Sequence, residues 1–464
     1  MSKGKLKEQS KQSLADSLAR KHRLRLNFIS VVIRLHELFA TLPDCRKGNN
    51  QSKSFNDAAM GAFALFYTQS PSFLSYQKLM RETDGRDNAQ SLFGITDFLS
   101  DNHIRDLMDE VPPQKLFPFF LELFKDLKKS GYLDEFRSYT DNLLLALDGT
   151  QYFTSKKICC KSCCQRQVVS EKTKKVTTTY HHSVLMTAFV HPERGQVVSL
   201  PPEFIIQQDG NDKQDCELNA SRRWLGQFGK TIAANGVTIL GDDLYCHHGF
   251  CQELLGYGFD FILSCKPKSH QTLYEYVNLL QDQVVNKKHR YWTGRHWMVD
   301  KIRYINALPL KNDKNALEVN WFELTTVVEK TGEIKYHNAW ATNFEINEEN
   351  IDQLVVDARA RWKIENENNN TLKTKGYHLE HNFGHGKNHL SQVFLTFNIL
   401  AFLIHTIQEM VDEKYLRLYK AIGNRKTFFN DIKTLTRYMY FPSWEALIIF
   451  MLKGLKLPIP PDTS

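Results

Sequence analysis

Between Phe28 and Leu42 the apolar residues Phe28, Val31, Val32, Leu35, Leu38, Phe39 and Leu42 recur every three or four positions, the spacing that lines one face of a helix. Pro43 and Asp44 end that pattern. Residues 57–67 predict a second helix. Ser100 is an N-cap for a third, through Ile104, Leu107 and Met108, before Pro112 and Pro113 break the chain. Residues 28–137 therefore read as a compact helical domain.

The pattern changes at Asn142. Leu143-Leu144-Leu145-Ala146-Leu147 is a short, continuous apolar run, the signature of a strand buried on both faces, and it ends in Asp148-Gly149. Ser183–Val190 and Val197–Leu200 predict further strands, and residues 215–228 a helix. Val237–Leu240 is a second buried strand, and it runs into Gly241-Asp242-Asp243. A helix over 250–256 and a strand over 259–264 follow. Alternation in residues 297–305, 321–328 and 340–344 marks residues 289–345 as mainly β. Helical character returns over Asn350–Lys373 and again over Leu390–Met410. The predicted class is α/β, with these divisions: a basic tail (1–27), a helical domain (28–137), a core in two parts (138–288 and 346–411) split by the β-rich insertion (289–345), and a basic helical C-terminal region (412–464).

Bulk properties narrow the function. A chain of 464 residues suits two or three folding units. Lys and Arg outnumber Asp and Glu by 60 to 52, a modest excess that favours a polyanionic partner. Lys3, Lys5, Lys7, Lys11, Arg20, Lys21, Arg23 and Arg25 make the first segment a basic arm suited to phosphates. That segment has no apolar stretch of the kind a secretion signal carries. No membrane association is expected, because the most apolar run, Val393–Ile407, is interrupted by Asn398 and His405 and suits a buried helix. Nine cysteines without a leader point to reduced thiols in a cytosol. No Gly-rich phosphate loop and no Ser/His/Asp arrangement is present.

Two buried strands each deliver an Asp, and a distant helix carries Glu365. Carboxylates gathered at dry strand ends need neutralisation. Mg²⁺ or Mn²⁺ supplies it with oxygen ligands, and a pair of such ions serves in-line phosphoryl displacement. The plain alternative for each Asp is a turn former, and for Arg361 and Glu365 a surface ion pair at i, i+4.

Three segments resemble the catalytic core of bacterial insertion-sequence DDE transposases of the cut-and-paste type: Leu143–Thr150 around Asp148, Ile239–Tyr245 around Asp242, and Arg361–Glu365 continuing to Leu372-Lys373. The segment Gly376–Gly386, with its run Tyr377-His378-Leu379-Glu380-His381-Asn382-Phe383-Gly384-His385, adds to the likeness. The resemblance extends over about residues 44–408, and the subgroup resembled carries a β-rich insertion between its second Asp and its Glu.

It implies an RNase H-like core, Mg²⁺ or Mn²⁺ held by Asp148, Asp242 and Glu365, and phosphate contacts from Arg361 and Lys373. The substrate implied is double-stranded DNA, both the inverted-repeat ends of an element and its target. A homodimer in the DNA complex and a bacterial, nucleoid-associated location are also implied. Asp242 is preferred to Asp243 because Tyr245 follows it by three positions. This chain departs from the family in having Ala358 where a Tyr precedes the Arg, and in spacing Glu365 and Lys373 by eight rather than seven. Glu367 therefore stays open as the third ligand. The competing functions are a nuclease on the same core and a DNA-binding protein with a decayed site.

Cys159-Cys160-Lys161-Ser162-Cys163-Cys164, followed by Tyr180-His181-His182, offers a second metal site. Cys160, Cys163, His181 and one further thiol would make a tetrahedral structural zinc site, the alternative being four reduced thiols in a loop. Cys45, Cys216, Cys246, Cys251 and Cys265 suit packing as small apolar residues. His385 and Lys387 are expected on a DNA-facing loop. Trp292 and Trp297 are expected in the core of the β-rich segment, with stacking on an extruded base as the alternative.

Overall fold

The computed structural model describes residues 17, 19–47, 53–80, 87–169, 174, 176–206 and 215–461. Most of the basic arm lies outside these residues. Its last part is docked rather than free: His22 Nδ1 lies 2.6 Å from Asp126, and Arg25 and Arg34 bring guanidinium nitrogens to the same carboxylate at 3.1 and 2.9 Å.

The protein is a mixed α/β structure built on one mixed sheet. Its strands are β1 (Leu143–Ser155), β2 (Cys164–Val169), β3 (Val176–Val190), β4 (Val198–Ser199), β5 (Glu203–Ile205), β6 (Val237–Gly241), β7 (Asp260–Ser264), β8 (Val285–Trp292), β9 (Trp297–Pro309), β10 (Glu318–Val328) and β11 (Ile334–Thr342). The order is β2-β3-β1-β6-β7-β11-β10-β9-β8, with β4 and β5 also paired to β3. β1 runs antiparallel to β3 and parallel to β6, and β6 runs parallel to β7. The all-apolar run Leu143–Leu147 is buried because it lies in the middle of this sheet with layers on both faces.

The β-rich segment continues that sheet instead of standing apart from it, because β11 pairs with β7 through Trp340↔Ser264 to Thr342↔Ile262. Part of β10 alternates buried and half-buried positions, whereas β11 passes from an exposed end to a buried one. Strands β2, β5 and β8 carry no clear sequence signal. β2 and β8 are almost wholly exposed, so no apolar alternation marks them.

Helices of the N-terminal stretch share a core with those at the other end. Leu390–Val411 packs Phe397 against Phe39 and Phe63, with ring centroids 5.6 and 6.4 Å apart. Phe28 lies 4.9 Å from Trp444, and Asn88 donates to the carbonyls of Thr436 and Met439. The helix Leu390–Val411 is long and apolar enough to cross a membrane, yet 94% of its most apolar window is buried inside the protein. Three further helices follow, Glu413–Ile422, Arg425–Tyr438 and Trp444–Gly454. Ser100 caps its helix as expected, accepting from the His103 N–H.

The helix expected over 350–373 is two helices. Ile351–Arg359 ends at a turn, and a second begins near Trp362 with a widened π turn over Ile364–Asn369 that continues to Thr374. Such wide turns insert one residue into a helix and recur at functional sites. This one contains Glu365 and ends four residues before Lys373.

Candidate metal-dependent active site

Strand β1 delivers Asp148, and its neighbour β6 ends at Gly241, one residue before Asp242. Asp242 thus lies just past the end of β6, whereas Asp148 is inside β1: the strand expected to stop at Asp148 runs on to Ser155, because β3 continues to pair with it after the β6 ladder ends at Ala146↔Leu240. The π turn passes alongside with Arg361, Glu365 and Asn369 at four-residue intervals. The wide turn reverses the drift that four-residue spacing accumulates on an α-helix, so these residues stay on one face. Asn369 donates from Nδ2 to Asp148 Oδ2 at 2.6 Å. Arg361 bridges the carboxylates: Nη2 lies 2.6 Å from Glu365 Oε1 and Nη1 lies 3.8 Å from Asp148 Oδ1.

A fourth carboxylate joins them. Glu217, at the start of the helix Glu217–Trp224, accepts the Gly149 N–H at 2.8 Å and the Tyr245 hydroxyl at 2.5 Å on the same oxygen. Sequence reasoning assigned that stretch to a helix but gave Glu217 no role. Nothing in its local pattern differs from an acidic first turn; only the packing of the helix against β3 and β5 brings it here.

Two glycines make the approach possible. A Cβ on Gly149 would lie 2.2 Å from Glu217 Oε2, and one on Gly241 would lie 2.8 Å from the Tyr245 ring. The Tyr three residues after Asp242 is thus fully buried and holds Glu217.

Electrostatics reflect the crowding. Burial, then the charges of Glu365 and Glu217, pushes the Asp148 carboxyl up to about 7, with Arg361 opposing and Asp242 adding to the rise. Burial also raises Glu217 above the usual carboxylate range, opposed by the Tyr245 hydrogen bond. Asp148 and Glu217 are the acids whose ionisation the burial opposes, and buried carboxylate oxygens suit a hard divalent ion.

The structure separates the competing acids. Asp243 turns away from the cluster: it accepts the Lys266 N–H at 2.6 Å and the Ser269 hydroxyl at 2.5 Å, and lies 3.2 Å from His270 Nε2. Asp242 caps its own turn through the Leu244 N–H, 2.8 Å away, while its charge acts on Asp148 and Glu217. Glu367 lies two positions from Glu365 on the helix, and its charge acts on Tyr419 of the C-terminal helices.

Of the expected phosphate contacts, Arg361 lines the cluster, whereas Lys373 pairs with Glu380 at 3.2 Å. Lys387 is exposed. His385 does not face outward as expected. The strap containing it is docked: Tyr377, Leu379 and Phe383 are buried, and Tyr377 hydrogen-bonds His405 at 2.6 Å. Asp109 accepts the backbone N–H groups of Lys387, Asn388, His389 and Leu390, which ties the end of the strap to the N-terminal helices.

His385 instead meets Cys160, Cys163 and His182. His181, expected in that group, points to the other face of β3, because successive strand side chains alternate; it borders a groove with Gly149, Gln151 and Glu217. Cys246, Cys251 and Cys265 are buried, in keeping with small apolar packing, though Cys246 and Cys265 also lie within ligating reach of His270; Cys45 and Cys216, expected to pack likewise, are exposed.

Trp292 and Trp297 also depart from expectation. They sit at the tip of the β8–β9 hairpin, 52% and 42% exposed, with Arg290 stacked 3.8 Å over Trp297. A hairpin tip that extends past its neighbours has no layer to cover it.

No protein-family model matches the chain, and no curated protein is significantly similar to it.

Proposed function

We propose that this protein is a metal-dependent enzyme that cuts and joins DNA strands, a DDE transposase with an RNase H-like core. The observation that carries this is the crowding around Asp148: Arg361 joins it to Glu365, the charges of Glu365 and Glu217 act on it, and so does that of Asp242, just past the end of the adjacent parallel strand. The RNase H-like assignment draws support from the mixed sheet, in which β1 has an antiparallel neighbour on one side and a parallel one on the other.

Asp148, Asp242 and Glu365 would hold Mg²⁺ or Mn²⁺, which when bound activates water and neutralises the leaving oxygen of a phosphodiester. Glu217 keeps the Gly149 amide and the Tyr245 ring in place, and so holds the two Asp-bearing segments in register. Asn369 orients the Asp148 carboxylate by its hydrogen bond. Arg361, 15% exposed, keeps a positive charge against the acids and is available to a phosphate beside them. The exposed Trp292, Trp297 and Arg290 offer aromatic and cationic surface suited to unpaired bases. DNA is the proposed partner, taken by two copies of the chain.

The test uses duplexes carrying the DNA that flanks the protein's own coding sequence. Asp148→Ala and Glu365→Ala should bind these duplexes with salt-sensitive affinity yet fail to nick them in Mg²⁺, whereas Glu367→Ala should cut. Cleavage by Asp148→Ala at the wild-type rate would overturn the mechanism. Cleavage without strand transfer by the unaltered protein would favour a nuclease, and binding without cleavage a DNA-binding protein.

A further inference from the structure

Four potential ligands from three distant segments meet at a single point. Cys160 and Cys163 lie in the loop after β1, His182 on β3, and His385 on the strap before the helix Leu390–Val411. The two sulfurs are 3.9 Å apart. His182 Nε2 lies 3.6 Å from Cys160 Sγ and 3.2 Å from Cys163 Sγ. His385 Nε2 lies 3.5 Å from Cys163 Sγ and 3.5 Å from His182 Nε2. A zinc tetrahedron with Zn–S of about 2.3 Å and Zn–N of about 2.0–2.1 Å has edges of about 3.8 Å between sulfurs, about 3.6 Å between sulfur and nitrogen, and about 3.3 Å between nitrogens. These five edges agree with that figure to within about 0.4 Å, and all four ligand atoms lie within 4.8 Å of one another.

We propose that Cys160, Cys163, His182 and His385 bind one zinc ion, and that the ion fastens the end of the Asp148 strand to the segment that follows Glu365. Each ligand is already held by its surroundings. The Cys163 N–H donates to the Cys160 carbonyl at 3.1 Å, and the Cys160 N–H to Cys163 Sγ at 3.4 Å, so the loop is folded around its thiols. His182 is 1% exposed and faces Phe153 across the β1–β3 ladder. The His385 ring packs 4.6 Å from Phe153.

Two thiolates cancel the charge of Zn²⁺, so the complete site is neutral and can be buried at little cost. Phe153 lies five residues beyond Asp148 on the same strand, roughly 17 Å at about 3.3 Å per residue. At that distance the ion touches no reacting atom. It acts as a staple, closing a loop from residue 163 to residue 385 that the backbone alone leaves open. The assignment does not depend on the proposed catalytic function.

Zinc content of the full-length protein, purified reduced and without chelator, tests the site. About one zinc per chain is expected. His182→Ala, His385→Ala and Cys163→Ser should lose most of it, while His181→Ala and Cys45→Ser should keep it. Co²⁺ exchanged into the unaltered protein should give the strong visible absorption of a tetrahedral thiolate site, a readout that does not require the variants to fold. Absence of zinc from the unaltered protein, even after incubation with Zn²⁺, would overturn the proposal. Full zinc retention in His385→Ala, or its loss in His181→Ala, would overturn the ligand set. Loss of zinc with Asp148-dependent cleavage lost as well supports the staple. Failure of the catalytic proposal would appear separately, as absent cleavage in protein that carries zinc.

Discussion

Replacing Asp148 by asparagine should make the metal-free protein more stable while abolishing its response to Mg²⁺. In the folded protein the Asp148 carboxyl titrates near 7 instead of 3.8, so folding takes up a proton over that interval. The carboxylate therefore costs nothing below about pH 4, and its cost is fully present above about pH 7. A rise from 3.8 to about 7 corresponds to a ceiling of about 4 kcal/mol. The side chain is 20% exposed, and solvent screening brings the expected gain to about 2 kcal/mol. Unfolding entropy of about 2.1 cal/mol/K per residue converts that gain to a rise of about 2 °C for a chain of 464 residues.

Asparagine keeps the shape of the side chain, and its carbonyl oxygen can still accept from Asn369. The assay is thermal unfolding at pH 8 and pH 4, in buffer stripped of divalent ions by resin rather than by added chelator, so that the Cys/His site is undisturbed. The variant should exceed the wild type at pH 8 and equal it at pH 4. Millimolar Mg²⁺ should then raise the wild-type midpoint and leave the variant unchanged. A variant less stable at pH 8, or equal shifts with Mg²⁺ in both proteins, would refute the link between crowding at Asp148 and cation binding.

Asp243→Ala should cost about 1–3 kcal/mol, because it leaves the Lys266 N–H and the Ser269 hydroxyl without their acceptor, yet the Mg²⁺-induced stabilisation should persist. Loss of that stabilisation in a folded variant would place Asp243 rather than Asp242 among the ligands. Trp292 and Trp297 are exposed, so the double alanine variant should unfold within about 0.5 kcal/mol of wild type. Its affinity for DNA containing an unpaired base should fall by roughly 5–100-fold, measured against fully paired duplex as control, and equal affinities would remove the hairpin tip from the proposed DNA surface.

Much of the scaffold was legible in the residues alone. The runs Leu143–Leu147 and Val237–Leu240 each read as buried strands, because a strand buried on both faces leaves a continuous apolar signature in sequence, but the first does not end at its acid: β3 carries it on to Ser155. Helical periodicity and the Ser100 cap are local, and they too were readable. What local pattern could not reach is which residues meet. Glu217 looks like any acid in a first helical turn until tertiary packing brings it against the Gly149 amide. His181 and His182 are indistinguishable by composition, and strand register alone turns one toward Cys163 and the other away.

His385 was legible as a histidine in a glycine-rich segment, but its partners lie more than two hundred residues earlier. The exposed strands β2 and β8 carry no periodicity because nothing covers them. Sequence determined which segments could be buried and which acids followed their apolar runs. The tertiary structure decided which of those acids share one crowded, poorly solvated space, because desolvation and like-charge repulsion depend on distances that no spacing along the chain records.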